Sequence, residues 1–394
     1  MTSFKLKDWL FVSALAFVLG LGWPHIYAWF AADAHPQQAT TDEKANEPIK
    51  SDAFTFRLLK AAMQTSPEGN LLLAPNSLAM IFKQMHPLAD PAVAQALDSL
   101  QLPENSQESA ADIQEAACLF ADPAAGLDPE LARQYTYHAS FSEDLATAFA
   151  DINNALIAFT NNESALVANS DTVNRQTTLL AVNAINYTCD WLTPLSTAEN
   201  SNMEFYNANG GIPMVRGMSC YAHLYATAPG GEWKAAAIRL KRVEGTPSSV
   251  PDCELLIIQP TQGVSARTFA AALTPEKFSE IRTNLRESTL SCEVKLPRLA
   301  FRQRPQNIIP TLQGLEIDAL FTSATPFSKL TAKAPYPFET AYQQINIIMQ
   351  EAGSRGEQLP PQTDTLTCDR PFMWFLMPLS SSAPPHAAGI LDNL

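Results

Sequence analysis

The sequence predicts an α+β fold in which helices come first and mostly strands follow. Three observations carry this. Residues 53–100 place apolar side chains at helical spacing. Residues 178–191 (TLLAVNAINYTCDW) form a long apolar run with little helical period. Near the C-terminal end, Ile345, Ile347 and Met349 alternate with Asn346, Ile348 and Gln350. With 394 residues, 46% hydrophobic and 17% charged, the chain has apolar material for one large or two ordinary domains.

In chain order, residues 1–34 resemble an export segment. Lys5 and Lys7 precede an apolar run over 9–21, and Ala32-Asp33-Ala34 is an A-x-A cleavage candidate. Residues 9–32 carry no formal charge, a length near the ~20 residues that span a bilayer. Tyr27 and Trp29 stand where an interfacial belt would. Cleaved signal peptide and signal anchor, with membrane insertion of residues 9–32, are both open, and either places the rest of the chain outside the cytoplasm, secreted or anchored. Residues 35–50 (HPQQATTDEKANEPIK) are a polar linker, and one domain over 51–394 follows.

Within it, residues 53–64 read as a helix, with Phe54, Leu58, Ala61 and Ala62 on one face, and residues 70–74 as a short buried strand. Asn76 or Ser77 is able to cap a helix over 77–85, and Asp90-Pro91 starts another that runs to about Leu100. Helix and strand signals mix from 110 to 169, where Ile152, Leu156 and Phe159 mark one amphipathic face. After the central strand at 178–191 come short strands at 235–240, 254–259, 292–297 and 372–377, and a short helix over 312–320.

The net charge of −14 and the absence of basic clusters interleaved with aromatics argue against a nucleic-acid partner. No two of the six cysteines lie closer than 31 positions, so neither zinc nor thioredoxin-like spacing occurs, and buried free thiols are the simplest reading. The six histidines show no metal-binding spacing, and there is no Gly-rich phosphate loop. Gly217-Met218-Ser219-Cys220 begins like a nucleophile elbow, but Tyr221 replaces the required glycine. Two sequons, at Asn162 and Asn186, are formal matches, the second in the apolar strand. No constellation supports catalysis, so a binding or inhibitory protein rather than an enzyme is expected, with no cofactor and no metal.

Seven short segments, in order, resemble the serpins, the serine protease inhibitor superfamily. They are Ala74-Pro75-Asn76-Ser77-Leu78; Val182-Asn183-Ala184-Ile185 with Trp191; Leu273-Thr274-Pro275-Glu276-Lys277-Phe278; and Val294-Lys295-Leu296-Pro297-Arg298-Leu299. Leu312-Gln313-Gly314-Leu315 through Leu330, Asp369-Arg370-Pro371-Phe372, and Gly389-Ile390-Leu391 complete them. The resemblance spans nearly all of 51–394. It implies three β-sheets with eight or nine surrounding helices, a monomer, and a serine or cysteine protease as partner. In inhibitory members a protease cuts a reactive loop, becomes acylated, and is carried across the molecule as the loop inserts into the main sheet. By position, Ser77, Asn183 and Gln343 fall in the shutter beneath that sheet, Gln343 where the family usually has histidine. Trp191 falls in the breach where insertion begins.

The loop itself departs from the family. The resemblance makes Glu351, Gly353 and Ser354 the hinge, but the usual alanine run is replaced by Arg355-Gly356-Glu357-Gln358-Leu359-Pro360-Pro361. Pro360 and Pro361 lack the N–H that a central strand needs, and Asp364 would carry a carboxylate into the interior; all three are expected to block insertion. Counting from Gly353 as the family does puts the scissile bond at Thr367-Cys368, close to the next strand. Two functions follow: a non-inhibitory extracytoplasmic binding or structural protein, favoured by these local residues, or an active suicide-type peptidase inhibitor.

Overall fold

The computed structural model describes residues 50–103, 113–161, 167–192, 202–242, 253–290, 292–333, 335–350, 364–378 and 384–394. Residues 1–34, read as an export segment, residues 35–49 of the stretch read as a linker, and the sequon at Asn162 lie outside them.

The first helix, α1 (Lys50–Thr65), buries Phe54, Leu58, Ala61 and Ala62 as its spacing predicts. Strand β1 (Leu71–Leu73) leads into α2 (Pro75–Met85). This helix opens on Pro75, whose missing N–H costs nothing in a first turn. Ala74 is its N-cap and supplies no side-chain bond, so neither Asn76 nor Ser77 caps it. Both are buried in the first turn and serve another purpose below. Helix α3 (Pro91–Asp98) is capped as expected, Asp90 accepting from the Val93 N–H at 2.8 Å.

Next come β2 (Gln114–Ala121), α4 (Pro129–Tyr135), β3 (Tyr137–His138) and α5 (Leu145–Thr160). Helix α5 buries Ala148, Ile152, Leu156 and Thr160, a strict four-residue row. Phe159, expected on that face, is instead 41% exposed and meets Tyr137 edge-on, with ring centroids 5.5 Å apart. The central strand β4 (Leu179–Trp191) runs thirteen residues.

The strands β5 (Asn202–Glu204), β6 (Met214–Ala222), β7 (Leu224–Thr227), β8 (Trp233–Arg242) and β9 (Cys253–Pro260) follow, then helices α6 (Ala266–Ala272) and α7 (Pro275–Glu287). After β10 (Cys292–Pro297), β11 (Ala300–Arg302) and β12 (Gln306–Asn307) come α8 (Ile309–Gln313) and α9 (Ala319–Thr322). The single helix expected over 312–320 is thus two short ones: Gly314 caps the first, and Glu316 takes a left-handed φ of 59° that no helix continues through. The chain closes with β13 (Thr340–Gln350), β14 (Asp364–Thr367), β15 (Phe372–Pro378) and β16 (Ala387–Leu391).

These strands make three faces. The first runs β3, β2, β4, β13 and then β11 with β12; the second runs β7, β8, β9, β15, β16 and β1. A three-residue pairing of β4 with β8 joins the two into one continuous ladder. The third is a separate sheet, β14-β10-β6-β5. Nine α-helices among the described residues surround them. One core lies between the helices and the second face. Another lies where the first two faces meet the separate sheet and includes Trp191, Cys220, Cys292 and Trp374, and a third lies beneath α5.

Candidate functional site

The feature that dominates the first face is the seam between β4 and β13. The two strands are parallel neighbours over eleven residue pairs, from Thr340↔Leu180 to Gln350↔Asp190. Parallel pairing fits a strand buried on both sides, and β4 reads accordingly as a near-continuous apolar run.

Three fully buried polar side chains meet beneath the seam: Ser77 from α2, Asn183 from β4 and Gln343 from β13. Asn183 and Gln343 are direct partners in the register. Asn183 Nδ2 donates to Ser77 Oγ and to Gln343 Oε1, both at 3.3 Å. Gln343 Oε1 also accepts from the Ala74 N–H at 3.1 Å, while its Nε2 donates to Leu72 O at 2.9 Å and to Gln303 Oε1 at 3.2 Å. The resemblance groups these three residues beneath the sheet, and the structure shows the hydrogen bonds among them. Gln343 works here because its amide offers a donor and an acceptor at once. Toward the other face, Asn346 Nδ2 donates to Asn186 Oδ1 at 2.6 Å, and Asn186 Nδ2 donates to Thr160 O at 3.0 Å. The Asn186 sequon is therefore committed to the seam and to the end of α5.

At the far end of β4, Trp191 is 1% exposed and pairs with Leu240, where the first face meets the second. The hinge residues Glu351, Gly353 and Ser354 and the prolines Pro360 and Pro361 lie outside the described residues.

Asp364 is not in the connection but begins β14. It is exposed, and its Oδ2 accepts from Tyr225 Oη at 2.8 Å. Desolvation works to raise its pKa, but the bonds from Tyr225 and from the Thr365 N–H outweigh it and hold the carboxyl below the ordinary range. Thr367 is paired with Lys295 in a parallel ladder, and the next residue, Cys368, is 0% exposed with its N–H donating to Lys295 O at 2.7 Å. The Thr367-Cys368 bond therefore sits within the β14-β10 sheet. A protease needs an extended, accessible segment on both sides of its target bond, so this conformation does not present it.

Ser219 lies in the middle of β6, paired with Lys295, and not at a strand-to-helix elbow. All six cysteines are buried free thiols, and burial pushes Cys118 and Cys292 up to about 12. Among the described residues, no group of three His, Cys, Asp or Glu is placed to hold a metal ion, and no helix is long and apolar enough to cross a membrane.

Sequence reasoning missed one buried network. Glu115, on β2, accepts from Asn76 Nδ2 at 2.9 Å and from His386 Nδ1 at 3.1 Å. Glu115 and His386 are 271 positions apart, and no local pattern signals their meeting.

A family model described as Serpin (serine protease inhibitor) matches residues 129–384. No curated protein sequence matches the chain. Solved structures do. Maspin aligns with a TM-score of 0.76 at 16% identity, over 88% of this chain and 98% of that one. Uncleaved ovalbumin aligns at 0.71 and 15% identity over 88% and 100%. Native protease nexin-1 with heparin aligns at 0.72 and 16% over 88% and 99%. At such identities the likeness concerns the fold.

Proposed function

The chain belongs to the serpin family, and from that premise we propose that it is an extracytoplasmic serpin scaffold whose reactive loop does not insert, acting by binding rather than by trapping a protease. The observation that carries this reading is the connection between β13 and β14. It comprises residues 351–363, thirteen residues with two consecutive prolines, set against a seam of eleven paired residues.

A strand entering between two parallel neighbours runs antiparallel to both, and successive residues give their N–H groups to opposite sides. A chain leaving Gln350 spends about three residues on its turn. The seventh residue from Ser354 is then Pro360. Pro360 and Pro361 would deprive one carbonyl on each side of its donor, at about 1–3 kcal/mol each when buried. The ring of each also crowds the adjacent strand. Insertion that begins at the hinge stalls about halfway along the seam. The far side offers no relief, since Asp364 pairs with Cys292 in the separate sheet and the Cys368 N–H donates to Lys295 O there. The export segment in the sequence supports a place outside the cytoplasm.

The second reading, a suicide-type inhibitor of a serine or cysteine protease, draws on the family and on the retained hinge residues Glu351, Gly353 and Ser354. A screen against serine and cysteine proteases separates the two. The proposal expects intact protein or cleaved product on denaturing gels. A covalent complex that survives SDS with any protease would overturn it.

A further inference from the structure

The path from β2 through α4 to β3 frames a cavity apart from the β4–β13 seam. Gly126 takes a left-handed φ of 65°, which turns the chain after the short Pro123–Ala125 helix. Asp128 then caps α4 by accepting from the Glu130 and Leu131 N–H groups. Strand β3 returns beside β2 in parallel register, with His138 opposite Ala121. The path is pinned to the chain near residue 330: the Asp128 N–H donates to Leu330 O at 2.7 Å, and Thr331 Oγ1 donates to Ala125 O at 2.8 Å. The walls are therefore fixed by the fold, which lowers the cost of binding.

The cavity measures about 390 Å³, within the range of small-molecule sites. Most of its wall is small or rigid and apolar, with Ala121, Gly126, Leu127, Pro129 and Ala132 among the lining residues. At about 30 Å³ for a water-sized group, it has room for about ten to fifteen non-hydrogen atoms.

Two basic groups also line it, the Arg133 guanidinium and the His138 imidazole, both on exposed residues. Among the described residues the guanidinium has no ion-pair or hydrogen-bond partner. His138 has one contact, Nε2 to Ser140 Oγ at 3.4 Å, which leaves Nδ1 unpaired. No acidic residue lines the wall among the described residues. The two neighbouring aspartates are committed to the backbone, Asp128 as the cap and Asp122 by accepting from the Ala124 and Ser142 N–H groups. Lys333 places a further positive charge beside Gly126, its Cε 3.1 Å from where a Cβ on that glycine would sit.

On a chain of net charge −14, this is a local reversal of sign over an apolar hollow. A guanidinium with its fork free matches a carboxylate, and the apolar wall matches a hydrocarbon or aryl body. We propose that the cavity binds a small organic carboxylate with an apolar body, of the medium-chain fatty acid or aryl acid class, with Arg133 holding the carboxylate and His138 beside it. The proposal does not depend on whether residues 351–363 insert.

Isothermal titration of the full chain with octanoate tests this, with octan-1-ol as the uncharged counterpart. Octanoate is expected to saturate one site with a Kd of about 0.1 mM, and octan-1-ol to bind about tenfold more weakly. Arg133→Gln, at an exposed position, should weaken octanoate about tenfold and leave octan-1-ol unchanged, so that the two ligands become equal. Ala132→Phe should fill the cavity and abolish binding of both; if that variant does not fold, the Arg133→Gln comparison decides alone. Any one of four results would overturn the proposal: no saturable octanoate binding up to about 5 mM, equal affinity of the parent for both ligands, octanoate affinity unchanged in Arg133→Gln, or binding retained in a folded Ala132→Phe variant.

Discussion

Replacing Gln343 with leucine tests whether the polar cluster beneath the seam holds the first face to α2. The substitution removes the acceptor for the Ala74 N–H and the donor for Leu72 O, and takes one of the two acceptors from Asn183 Nδ2. Two backbone groups lose their side-chain partner at about 1–3 kcal/mol each. A leucine in this fully buried position returns about 1.5–2 kcal/mol of transfer free energy. Mid-range values of these terms give a net loss of about 2 kcal/mol. Equilibrium urea unfolding followed by tryptophan fluorescence is a suitable assay, since Trp191, Trp233 and Trp374 are all buried. Gln343→His, which restores one donor and one acceptor, should recover part of the loss. A Gln343→Leu variant within about 0.5 kcal/mol of the parent would refute the reasoning, because surface-like tolerance has no place at a fully buried, four-bond amide.

Two further outcomes follow from burial elsewhere. Asp52 is 1% exposed, and burial raises its pKa to about 6, with Arg282 at 3.8 Å opposing that shift only in part. The folded state therefore binds a proton that the unfolded chain, with its ordinary value of 3.8, gives up sooner, so stability is lost as pH rises from about 4 to about 6. Asp52→Asn should match the parent near pH 4 and exceed it by about 1–3 kcal/mol at pH 7.5; parallel stability curves for the two proteins would contradict this. Gly389 has no room for a side chain: a Cβ there would overlap Leu71 O and come within 2.9 Å of the Trp374 ring. Gly389→Ala should cost about 3 kcal/mol or more, or abolish folding, as seen in the soluble yield and the urea midpoint; an unchanged midpoint would show that β1 and β16 are not packed as described.

The parts of this molecule that were legible in the sequence are those set by local chemistry. The alternation of Ile345, Ile347 and Met349 gave a strand with those three side chains buried, and Asp90-Pro91 gave a helix start. The long apolar run of β4 was legible because a parallel central strand is buried on both faces. Errors arose where tertiary demand overrode local preference. Asn76 and Ser77 have the chemistry of caps but point into buried networks, and Phe159 leaves the core to pack on Tyr137. The contact of Glu115 with His386 has no local signature at all, since it depends on β2 and the C-terminal strand meeting across α2. Family motifs grouped Ser77, Asn183 and Gln343 beneath the sheet; which of their atoms bond to one another is seen only in the fold.

The claim that residues 351–363 do not enter the seam is most directly tested by cutting them and melting the product. A protease site introduced at Gln362 and Thr363 would free nearly the whole connection on the β13 side, and thermal unfolding of cut and uncut protein would then be compared. Without insertion, the eleven-pair ladder of β4 and β13 stays as it is, and the melting temperature should move by no more than about 3 °C. A rise of more than about 10 °C on cleavage would mean that a new strand has joined the sheet, prolines included, and would contradict the account.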